Sequence, residues 1–282
     1  MERAIECIWE RYSEPLSLAD IARSAGLSRF YFARLFRDAT GITPGRFLAA
    51  IRIHQAKCLL LDTSMRITDI SFAVGYNSLG SFTNYFTTSV GVSPGRFRRL
   101  SRTGEIGLPD PEPRPPTGAG AIAGTVGLPE GCGNARVYVG AFGTPIVQHP
   151  SVAAAIVDVP SGRPCCYRLL DVPAGTWFVH AVGVAEGVEP WARRTRLTGG
   201  HDPVPVTSDS VTSAAVRLRR GRPADPPVLL ALPDLEPRPA LAGDAGCPVI
   251  TPRPAAGRHR AVRATPGTPR SMAAAAPARP PA

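Results

Sequence analysis

Three arginines, Arg29, Arg34 and Arg37, share a short stretch with Phe32, Leu35 and Phe36, whose spacing is that of one buried helix face. With those three side chains inward, the opposite face presents Arg29, Phe30, Ala33, Arg34 and Arg37. An arginine fork can pair with O6 and N7 of guanine in a major groove, so Arg34 is the candidate base reader. Arg29 and Arg37 suit phosphates, contacts that position a protein without specifying sequence. Phe30 or Ala33 suits a thymine methyl, with a core position as the alternative for Phe30. For each arginine the competing assignment is a solvated surface charge.

The same arrangement occurs twice. Leu18-Ala19-Asp20-Ile21-Ala22 with Gly26-Leu27 recurs as Ile67-Thr68-Asp69-Ile70-Ser71 with Gly75-Tyr76. Further on, Ser28, Phe32, Phe36, Gly41 and Thr43-Pro44-Gly45-Arg46-Phe47 recur as Ser78, Phe82, Phe86, Gly91 and Ser93-Pro94-Gly95-Arg96-Phe97. One extra residue near Asn77 shifts the register in the second copy. There the outward face is Leu79, Gly80, Thr83, Asn84 and Thr87, which carries no charge. Asn84 can read adenine through N6 and N7, or be a solvated or capping amide.

The elements that must hold these faces are short capped helices. Ser17 with Asp20 makes a capping box, Gly26 ends the first helix, and Ser28 stands where the next would be capped. Helix, glycine turn and second helix make a helix-turn-helix, with reading helices expected at 28–38 and 79–88. Arg66 replaces the capping Ser or Thr in the second copy, so that helix begins less firmly. Thr43 and Pro44 open a longer run without Gly or Pro, predicting a helix over 44–61 of about 27 Å. A rod of that length would set two reading helices about one turn of B-DNA, roughly 34 Å, apart.

Charge divides the chain in the same way. Residues 1–103 hold 14 Lys+Arg against 8 Asp+Glu, residues 104–236 hold 11 against 13, and residues 237–282 hold 7 against 1. A basic head suits a polyanion through counterion release, or is simply a solvated surface. Residues 104–120 are rich in Pro and Gly and read as a tether. Periodicity then falls toward two. Runs at 121–128, 135–142, 151–159, 167–170, 176–184 and 211–218 predict an antiparallel sandwich over 121–235. The Pro-, Ala- and Arg-rich segment 236–282 is expected to be disordered.

Other chemistry has weaker support. Cys132, Cys165, Cys166, His149, His180 and His201 could gather around a metal, but no pair has zinc spacing. No paired carboxylates, nucleophile pair or phosphate loop stands out, so neither catalysis nor a cofactor is expected. With no signal peptide and no long apolar run, the expected location is the cytoplasm, with reduced thiols and no membrane contact.

Residues 5–99 resemble the DNA-binding domain of the AraC/XylS family of bacterial regulators. The signature is densest at Gly75-Tyr76, Ser81-Phe82, Phe86, Gly91-Val92-Ser93-Pro94 and Phe97-Arg98. The resemblance implies two helix-turn-helix subdomains on a linker helix, reading an asymmetric double-stranded DNA site in two adjacent major grooves. It also implies action at promoters with RNA polymerase, often as an activator. Tyr167–Ala181 resembles a strand–turn–strand of carboxypeptidase-regulatory-like, prealbumin-type sandwiches, which suits a sensor for a small-molecule effector or a protein-contact module. The expected fold class is thus multi-domain: an all-α double helix-turn-helix, a mainly antiparallel β-sandwich and a disordered tail. The alternative is a DNA-binding protein whose sandwich is an enzymatic or metal-binding module.

Overall fold

A computed structural model of the chain describes residues 1–103, 118–187 and 194–232, without the side chains of 101–103. The expected tail at 236–282 and most of the expected tether lie outside the described residues. Seven helices come first: α1 (Glu2–Arg11), α2 (Leu18–Ser24), α3 (Arg29–Thr40), α4 (Pro44–Asp62), α5 (Ile67–Ala73), α6 (Leu79–Val90) and α7 (Pro94–Thr103).

Local chemistry sets most of the helix ends. Ser17 Oγ accepts from the Asp20 amide, and the Asp20 carboxylate accepts from the Ser17 amide and hydroxyl. These bonds hold the Asp20 carboxyl below its ordinary value. A depressed carboxyl stabilises the fold above the usual carboxylate range, and that contribution is lost as pH falls through the depressed value. Replacing Ser17 with Ala is expected to cost about 0.5–2 kcal/mol at neutral pH, read from the urea midpoint, and less at acid pH. Thr43 Oγ1 accepts from the Arg46 amide, with Pro44 at the first helical position. Arg66 makes no side-chain cap, as its type predicts. Ser28 departs from expectation. It occupies the cap position of α3, yet its hydroxyl makes no capping bond, whereas the equivalent Ser78 accepts from the Ser81 amide.

The helices share one apolar core. Phe32 and Phe36 of α3 meet Phe47 of α4, with the ring centroids of Phe36 and Phe47 5.3 Å apart. The second copy repeats the stack with Phe82, Phe86 and Phe97. At 19 residues, α4 is about 28 Å long and buries Phe47, Ile51, Ile53 and Leu60 among others. Arg52 of α4 ties the ends together, donating through Nε to Tyr12 O (2.7 Å) and through Nη2 to Glu14 O (2.7 Å). Gly75 has φ +86°, and a Cβ there would lie 2.7 Å from Ser13 O. Both the left-handed backbone and the close approach therefore require glycine.

The second region is β-rich. Its strands are β1 (Ala119–Gly127), β2 (Ala135–Phe142), β3 (Ser151–Val159), β4 (Cys165–Pro173), β5 (Gly175–Ala185), β6 (Thr195–Val206), β7 (Val211–Ser213), β8 (Val216–Arg217) and β9 (Arg219–Arg220). One sheet has the order β4-β1-β7, with β8 also on β1; the other runs β3-β2-β5-β6-β9. Pairing is antiparallel except for β7 and β8, which run parallel to β1. Ile122, Val126, Tyr167 and Leu169 of the first sheet share a core with Val137, Val139, Val179 and Ala181 of the second. β1 begins at Ala119, inside the stretch expected to be tether. β6 was not anticipated, because Gly199, Gly200, Pro203 and Pro205 break its alternation. Cys7, Cys58 and Cys132 are free thiols, but Cys165 is disulfide-bonded, contrary to the expectation of reduced cysteines throughout.

The described residues belong to one compact unit. Ile146, from the β2–β3 connection, and Leu229 and Ala231, from beyond β9, are buried members of the helical core. No helix among the described residues is long and apolar enough to cross a membrane.

Candidate nucleic-acid interface

The faces expected to read DNA lie on α3 and α6. Each helix enters from an extended cap residue, Ser28 or Ser78, and ends in a left-handed glycine, Gly41 (φ 77°) or Gly91 (φ 91°). The buried phenylalanines fix the rotation of each helix, so the remaining face is turned outward.

On α3, Arg29, Phe30, Arg34 and Arg37 are exposed and Ala33 is partly so. Phe30 is 76 % exposed, which removes the core alternative for that ring. An apolar ring this open loses water contact only when something covers it. The Arg29 guanidinium lies 4.6 Å from the Phe30 ring centroid, and that of Arg34 lies 5.6 Å from the ring of Tyr31. Sequence reasoning passed over Tyr31, which is 48 % exposed and three residues before Arg34. The i, i+3 spacing was the available signal. A guanidinium over an aromatic face is held flat, restricting the fork before any contact forms.

On α6, Leu79, Gly80 and Asn84 are exposed, with Thr83 and Thr87 partly so. Space around Gly80 is open, so this face admits close backbone approach. The Thr87 hydroxyl donates to Thr83 O (2.7 Å) and is spent inside the helix. Its methyl is what remains for an outside contact. Ser78 and Ser81 hydroxyls pair at 3.0 Å beside the helix start. This half is neutral, as its composition indicated, and the charge sits on α3.

Between the two, α4 carries two groups whose pKa values burial lowers. Burial first, then Lys57 and Arg196, lower His54 to about 4. Burial first, then Arg196, lower Lys57 to about 7. In the β region, burial lowers His180 to about 4, and its ring stacks on Phe178 with centroids 6.4 Å apart. Among the described residues, no group of three or more His, Cys, Asp or Glu is placed to hold a metal ion. The six Cys and His residues named above as candidate ligands are therefore not brought together.

Known proteins match the helical region. Residues 21–100 match a family model described as "Helix-turn-helix domain". The melibiose operon regulatory protein of Escherichia coli (strain K12) is 33% identical over 95 residues, covering 34% of this chain and 32% of that protein. The lactose operon transcription activator of Staphylococcus xylosus is 32% identical over 98 residues, 35% of each. A solved C-terminal domain of AraT, a response regulator from Geobacillus stearothermophilus, is 33% identical with a TM-score of 0.34, covering 35% of this chain and 83% of that one. The chain spans about a third of the length of the curated relatives it matches. Residues 21–100 thus match a helix-turn-helix domain, and this region is similar to parts of the melibiose operon regulatory protein and the lactose operon transcription activator.

Proposed function

We propose that this protein is a sequence-specific DNA-binding transcription regulator that reads two successive major grooves with α3 and α6. The observation that carries the reading is a pair of equivalent helices, α3 anchored to α4 and α6 to α7 by matching phenylalanine stacks, each with its outer face open. In this reading Arg34 pairs with a guanine and Arg29 and Arg37 hold phosphates. Phe30 and Leu79 meet thymine methyls, and Asn84 reads an adenine beside the neutral surface of Gly80, Thr83 and Thr87. Ala33 leaves room for the backbone of α3 to approach the groove.

The two sheets with their shared core are read as a β-sandwich that senses a small-molecule effector or contacts another protein. Residues 1–103 then form the DNA-binding part, 121–235 the sensor part, and promoter activation runs through RNA polymerase in the cytoplasm. The test is the salt dependence of duplex binding by the full chain. Each neutralised phosphate contributes about 0.9 to the slope of log affinity against log salt. Several arginine–phosphate contacts therefore predict a steep fall, and a flat response would count against DNA as the ligand.

A further inference from the structure

We propose that the β2–β3 connection and the segment after β9 form a brace that fixes the position of α6 relative to α3, so that the β region governs how the two reading helices are spaced. The inference rests on the DNA-reading role of those helices. Its structural basis is a set of contacts that run from the β region to the ends of both.

The brace supplies partners that a helix end lacks. The last carbonyls of a helix have no intrahelical donor. At the end of α6, the His149 amide donates to Ser89 O (2.8 Å) and the Ala231 amide to Val90 O (3.2 Å). The second reading helix is thus capped by the β region. At the equivalent end of α3, Pro145 packs against Gly41, within 3.6 Å of where a Cβ would stand. Ile146, next in the chain, is wholly buried in the helical core.

The two segments of the brace are knitted to each other and to α4. Val147 O accepts from the amides of Leu229 (2.9 Å) and Leu230 (3.1 Å). Lys57, the chain's sole lysine, projects from α4 and donates through Nζ to the carbonyls of Val228 (3.2 Å), Leu229 (2.9 Å) and Leu230 (3.0 Å). In its charged form Lys57 has three protons and no acceptor, so the three carbonyls match its capacity and favour the ammonium against the effect of burial. Leu229 and Ala231 turn into the helical core, while Leu230 packs on Tyr138, Phe142 and Val182 of the five-stranded sheet. One short segment therefore has alternate side chains in two cores. A shift of that sheet must move Leu230, and with it the carbonyls on Lys57 and the cap on α6.

Two reading helices held at fixed spacing act as a preorganised bivalent ligand, and loosening them lowers affinity without removing any DNA contact. The test places non-cysteine spin labels at the exposed positions Asp38 of α3 and Thr88 of α6 in the full chain. Without DNA, the distance distribution is expected to be narrow in the parent and to broaden in Lys57→Met and in Ile146→Ala, with helical content retained. Unchanged distributions in both variants overturn the brace. If either variant loses its helices, hydrogen exchange of the parent decides. The amides of His149 and Ala231 are expected to exchange together with the last turn of α6, and exchange at coil rates overturns the proposal. On the duplex selected by the parent chain, Lys57→Met is expected to bind about tenfold more weakly. Its penalty for one inserted base pair between the half-sites should also shrink. Failure of the DNA reading itself shows separately, as a parent chain that selects no sequence.

Discussion

Phe36→Ala is expected to destabilise the helical region by about 3–5 kcal/mol, the range for deleting a wholly buried aromatic ring. Phe36 is 0% exposed and stands between Phe32 and Phe47, at 5.4 and 5.3 Å between centroids. Its loss removes both ring contacts and leaves a cavity where α3 meets α4. The repeat gives an internal control. Phe86 stands between Phe82 and Phe97 at 5.6 and 5.8 Å, so Phe86→Ala should cost a similar amount. Phe30→Ala, six residues before Phe36 but on the open face, should stay within about 0.5 kcal/mol of the parent. Urea unfolding checks all three, with the midpoint shifting at constant slope. A Phe36→Ala protein as stable as the parent would show that the aromatic stack does not hold the reading helix.

Arg34→Ala is expected to weaken binding to the preferred duplex by about 1–3 kcal/mol and to relax preference at a single base pair. The side chain is exposed on α3, and the Tyr31 ring restrains its guanidinium from one side. Arg37→Ala should instead weaken all duplexes alike and reduce the salt slope, because a phosphate contact carries no base information. Asn84→Ala should cost less than Arg34→Ala, since α6 presents no charge. Binding of each variant to the preferred site and its single-base variants, at fixed salt, separates these outcomes. If Arg34→Ala keeps the base preference and Asn84→Ala abolishes it, α6 is the dominant reading helix.

The helical half was legible because each of its features is local. Capping residues, glycine ends and phenylalanine spacing all act within a few residues, and duplication displayed each pattern twice. α3, α4 and α6 accordingly stand within two residues of where the pattern places them. β2 and β3 occupy the runs read for them, because apolar residues dominate both and turn residues bound them. β6 was hidden because its glycines and prolines are tolerated only through tertiary pairing with β5. Tyr31 was hidden for a different reason: it stands next to core phenylalanines, and only its i, i+3 spacing to Arg34 set it apart. The contacts of Ile146, Leu229 and Ala231 with the helices were the least legible. They join segments far apart in sequence, and no periodicity reports which core an isolated apolar residue will enter.

Selection of a DNA sequence by the full chain tests reading by α3 and α6 most directly. Selection from a random duplex library at near-physiological salt is predicted to yield an asymmetric site. Its two preferred segments should lie about one helical turn, roughly 34 Å, apart. The segment with the stronger preference should contain a guanine that loses its importance in Arg34→Ala. Recovery of unenriched sequence, with affinity that depends on salt alone, would contradict sequence-specific reading by α3 and α6.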